Sequence, residues 1–172
     1  MGEYLEGNDN IFVHIFYEFL TFLYLIQYDC KTNKMLHNIM LDSKKIRIRA
    51  LCDFFSEERK KKGDMIYTDF IISDMDLCVA LPTNLRTFIN KETAHITEMR
   101  GKLDVPNDEL IETIKSIVSS INSFIGELDR NIKSEYKQCY QDNEMQKIRQ
   151  NTLTAILKLV IYNDNNGVVF KL

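Results

Sequence analysis

The stretch NDELIETIKSIVSSINSFIGEL, residues 107–128, decides how the rest of the chain is read. Leu110, Ile114, Ile117, Ile121, Phe124 and Leu128 recur every three or four positions and share one face of a helix, with Glu, Ser, Lys and Asn opposite. Asn107 offers a side-chain acceptor to the open N–H groups of the first turn. A helix with two such different faces must pack its apolar side on a core. The chain is long enough to supply one: 172 residues, 45% hydrophobic and 27% charged, consistent with a single domain over 1–172. Only 6 Gly and 2 Pro leave little material for the tight turns of a sandwich or barrel.

Working outward, IFVHIFYEFLTFLYLIQY (11–28) predicts a second helix, with Asp9 or Asn10 placed to cap it. Its length approaches that of a membrane span, but Glu18 sits near its middle, where a charge costs a few kcal/mol in lipid. No Lys or Arg precedes it, so neither a signal peptide nor a flanked span is expected. His14, Glu18 and Thr21 form one narrow polar stripe, with Tyr17 and Tyr28 beside it. A helix apolar on most sides with one polar seam belongs in a bundle or at a subunit interface.

A third helix is predicted from Thr32 or Asn33 to about Phe55, with Leu36, Ile39, Met40, Ala50, Leu51 and Phe54 on its apolar face. Ser43 and Arg47 interrupt that face. A semi-buried arginine needs a carboxylate, a carbonyl cluster or an anion. Arg49 and Asp53, one turn apart on the other side, have the spacing of an exposed ion pair. ERKKKGD (58–64) reads as a solvated loop, and residues 65–80 as irregular. Pro82 opens a helix expected to reach about Met99, with Gly101 as its stop. A further helix or helix pair runs from about Ser134 to Tyr162 with Met145, Ile148, Ile156, Leu159 and Val160, followed by an NDNNG turn and an extended VVFKL tail. The expected fold is therefore an all-α bundle of five or six helices with a short extended C-terminal tail.

The chemistry on offer is sparse. The four cysteines (Cys30, Cys52, Cys78, Cys139) have no CxxC or zinc-type spacing, which predicts reduced thiols in a cytoplasmic protein, with no metal and no cofactor. There is no glycine-rich phosphate loop, no GxSxG and no HExxH. In the helix after Pro82, His95 and Arg100 are turned about 140° apart and cannot share a pocket. Glu92 instead falls within the apolar stripe of Leu85, Phe88, Ile89, Ile96 and Met99, and His95 lies at its edge. If the two interrupted faces meet, Ser43, Arg47, Glu92 and His95 form one interhelical polar site, with Arg47 and Glu92 as partners. It would serve either to fix helix register or as a small pocket for an anion or phosphodiester.

Charge is also uneven. Eight basic residues against three acids between Lys44 and Lys62 give a local charge of +5 in a chain of net −3. Lys44, Lys45, Arg59, Lys60, Lys61 and Lys62 are the candidate anion or nucleic-acid patch, the alternative being an ordinary solvated helix end and loop.

The run SKKIRIRALCDFF (43–55), then Asp64 and TDF, then INKETAHITEMR (89–100) resembles a group of bacterial helical proteins of uncharacterised function. Their motifs have the form S-x-x-x-H-x-R-x-L-x-D-F-F and N-K-x-x-A-H-L-T-x-x-R. The resemblance covers about a third of the chain, and Arg47 stands where the group has its first histidine. It implies a helical fold and a bacterial origin. Such bundles are also distantly similar to HEPN-type domains, whose ribonuclease members carry an arginine followed four to six residues later by a histidine. No histidine here follows an arginine at that distance. The expected function is therefore action through protein–protein contacts as a homo-oligomer, a homodimer formed through residues 11–28. The alternative is an HEPN-like ribonuclease or phage-defence or toxin effector acting on RNA.

Overall fold

A computed structural model of the chain describes residues 10–27, 33–57, 61–93 and 107–166, the side chains of 34, 91–93, 107 and 160–166 excepted. Among the described residues six α-helices follow one another: α1 (Ile11–Gln27), α2 (Lys34–Phe54), α3 (Thr83–Thr93), α4 (Asn107–Asn131), α5 (Lys137–Tyr140) and α6 (Asn143–Asn166). The described residues contain no strand, and a single antiparallel bridge joins Ile71 to Ile132. The all-α bundle read from the sequence is the architecture observed.

α1 occupies the centre, packed most extensively on α6 and also on α2, while α2 reaches α3 and α4. Asn10 caps α1 by accepting from the Phe12 amide at 3.1 Å, and its own amide donates to the Cys139 carbonyl at 2.6 Å. That cap therefore also ties α1 to α5. Phe12, Phe16, Phe19, Phe22 and Leu23 point inward. They build an aromatic core in which Phe19 stacks on Phe55 (centroids 5.9 Å, 13°) and meets Phe124 edge-on. Phe12 does the same with Tyr140 at 5.3 Å. Pairs of this geometry add about 0.5–1.5 kcal/mol each beyond their area. All six apolar residues that defined the 107–128 helix are buried. Among the described residues, no helix is long and apolar enough to cross a membrane.

α2 starts where expected, with the Asn33 side chain accepting from the Leu36 amide at 3.0 Å. Its buried face is not the expected one. Ile48, Leu51, Cys52 and Phe55 face the core, whereas Leu36 and Ile39 are exposed. The helix is apolar on more than one side. Lys44 and Lys45 lie on the buried side, where long side chains can lay their methylene stems along apolar neighbours. This turns the true core face about 120° from the predicted stripe.

Residues 64–82 form an irregular strap. The amide of Ile66 bonds the Asp69 carboxylate at 3.0 Å and closes a 3₁₀ turn over Tyr67–Asp69. The Ile72 amide donates to the Asn131 carbonyl (2.7 Å) and the Lys133 amide to the Phe70 carbonyl (2.9 Å), fastening the strap to the end of α4. Further on, Leu77 and Val79 are buried while Cys78 and Ala80 are exposed, the alternation of an extended chain. The Val79 amide reaches the Phe55 carbonyl at 2.7 Å. Gly63, before the strap, has φ of 97°, a conformation that costs a residue with a Cβ.

At the C-terminal end α6 continues through Asn163, Asp164, Asn165 and Asn166, where the sequence suggested a turn. Asn and Asp are poor in helix interiors but tolerated in a last turn, which is where they fall. The VVFKL tail and the predicted continuation of α3 to Met99 lie outside the described residues.

Candidate functional site

The polar residues that interrupt the α2 surface meet α1. Arg47 donates from Nη1 to the Ser43 hydroxyl oxygen at 2.7 Å, one turn back on α2. Its Nε stands 3.3 Å from Glu18 Oε2 on α1. The Nε–H makes no hydrogen bond among the described residues, so this contact is ionic rather than directional. Arg47 is 19% exposed and the Glu18 carboxylate about half exposed, which places the pair at the rim of the α1–α2 contact. A carboxylate from the seam of α1 thus meets Arg47. Glu92 lies in the last turn of α3; its side chain, like the whole of His95, is outside the described residues.

A cation donating to the Ser43 oxygen withdraws electron density from it and does not prepare it for attack. What the Glu18–Arg47–Ser43 group does in this geometry is fix α1 against α2.

The basic stretch divides in the same way. Lys44 and Lys45 are buried, and Lys45 lies 3.7 Å from Asp42 and 5.1 Å above the Phe88 ring. These two lysines are therefore not part of a surface patch: the core face of α2 takes them in. Lys61 and Lys62 are exposed, and Arg59 and Lys60 lie outside the described residues.

Between α2 and α3 the Arg49–Asp53 pair forms as its spacing predicted, at 3.8 Å, but within a wider network. Arg86 of α3 reaches Asp53 at 3.3 Å, and Arg49 donates to the Asn90 side chain at 2.7 Å. Cys52 lies beneath this network. Burial, reinforced by Asp53, pushes its thiol up to about 12, so it stays protonated and unreactive.

Two further clusters join separate segments, the first with no sequence spacing to betray it and the second built on the helical spacing of Glu127, Arg130 and Asn131. The buried Tyr140 of α5 donates its hydroxyl to Asp129 of α4 at 2.7 Å. Arg149 of α6 donates from Nε to the Tyr140 oxygen at 3.0 Å and from Nη2 to the same carboxylate. Burial, then Asp129, drives the phenol well above its ordinary range, and Asp129 raises the guanidinium of Arg149. The second cluster is Glu127, held by Arg130, Asn131 and Ser73, with Arg130 the chief cause of a carboxyl lowered to about 2. Both clusters hold groups in their ordinary charge states, the opposite of a poised acid or base.

An open polar depression lined by Ser134, Lys137, Gln138, Gln141, Asp142 and Asn143 lies at the start of α6. Its acid, Asp142, is engaged in capping, accepting from the Glu144 amide at 2.9 Å and the Met145 amide at 3.3 Å. Among the described residues, no group of three or more His, Cys, Asp or Glu is arranged to hold a metal ion.

The outer surfaces are more distinctive. Tyr17 is 60% exposed on α1 and Tyr24 is also exposed, on the side away from the aromatic core. On α2, Met35 (75%), Leu36, Ile39 (54%) and Ile46 (54%) are exposed. No protein-family model, curated protein or solved structure matches the chain.

Proposed function

We propose that the protein acts through protein–protein contacts, as a homo-oligomer that uses the outer face of α1 and the adjoining helix α2. One observation carries this reading: α1 turns Tyr17 and Tyr24 to solvent on the side away from its core face, and the first turns of α2 expose Met35, Leu36 and Ile39. Exposed apolar side chains gathered on neighbouring helices are the usual mark of an interaction surface. Tyrosine in particular contributes apolar area and a polar tip at low conformational cost, which suits it to contacts made from water.

The test is the oligomeric state of the intact chain by sedimentation equilibrium, from micromolar to millimolar concentration. The wild type is expected to associate, and the double change Tyr17→Asp with Tyr24→Asp to weaken that association. A wild type that remains monomeric throughout would end the proposal.

A further inference from the structure

We draw no further inference here: the strongest candidate, the surface patch of the strap where the exposed Ile72 and Met75 alternate with the exposed Asp74 and Asp76, carries nothing, because nothing in the structure shows what covers it.

Discussion

Arg47 in α2 and Glu18 in α1, 29 positions apart, stand 3.3 Å from each other as a polar join between two helices that also meet through the rings of Phe19 and Phe54. Since Glu18 is half exposed, the pair itself is worth little in water, and the larger effect comes from leaving Arg47 without a counter-charge. Glu18→Gln is expected to destabilise the protein by about 1 kcal/mol in urea unfolding. Arg47→Met alone should be milder, and the double change should be far from the sum of the two. Additive effects would show that the two residues do not interact.

Tyr140→Phe removes a hydroxyl that both donates to Asp129 and accepts from Arg149 in a buried position. The expected loss is about 1–2 kcal/mol, seen as a melting temperature lower by roughly 2–6 °C for a chain of this size. Because aromatic packing against Phe12 and Phe16 is retained, helix content at room temperature should not change. An unchanged melting temperature would mean that this network contributes nothing.

Glu127 gives a pH dependence whose sign follows from its direction of shift. Its carboxyl falls from 4.5 to about 2 because Arg130, Asn131 and Ser73 hold the ionised form. The native state therefore resists protonation, and the stabilisation is present above pH 4.5 and lost as pH falls towards 2. Glu127→Gln should flatten the part of the stability–pH curve that lies in this window. If wild type and variant follow parallel curves in urea midpoints taken through the window, the carboxylate is not held as described.

Thiol labelling should separate Cys78 from Cys52. Cys78 is exposed on the strap, while Cys52 is buried with its thiol pushed up to about 12. Peptide mapping after brief treatment with a maleimide near neutral pH should find the label on Cys78, and on Cys52 only after unfolding. Early labelling of Cys52 would show that α2 opens locally at this point.

These relationships differ in how visible they were beforehand. α4 could be read directly because its apolar residues keep helical spacing with almost no interruption, and one face is all the core requires of it. α2 has apolar residues on several sides, so periodicity admitted two faces. The lysines that look most solvent-seeking, Lys44 and Lys45, went to the buried one. Spacing alone showed that Arg47 needed a counter-charge, and showed Glu18 on a polar seam. That Glu18 meets Arg47 depends on how α1 lies against α2, which no single-helix pattern contains, while the Glu92 side chain lies outside the described residues. Asp129, Tyr140 and Arg149 come from three segments and share no register, so their meeting is a property of the tertiary arrangement alone.

The strap also bears on the order in which the molecule folds. Most contacts in a helical bundle join residues close in sequence, and such proteins fold fast. The bonds from Ile72 to Asn131 and from Lys133 to Phe70 instead close a loop of about 60 residues, with an entropy cost that local helix formation does not carry. These bonds should therefore form after α4 has assembled and should be among the first to open. In pulse-labelling hydrogen exchange, the amides of Ile72 and Lys133 would gain protection later than those in the middle of α4. The end of α4 would then be secured last, by a piece of chain that belongs to no helix.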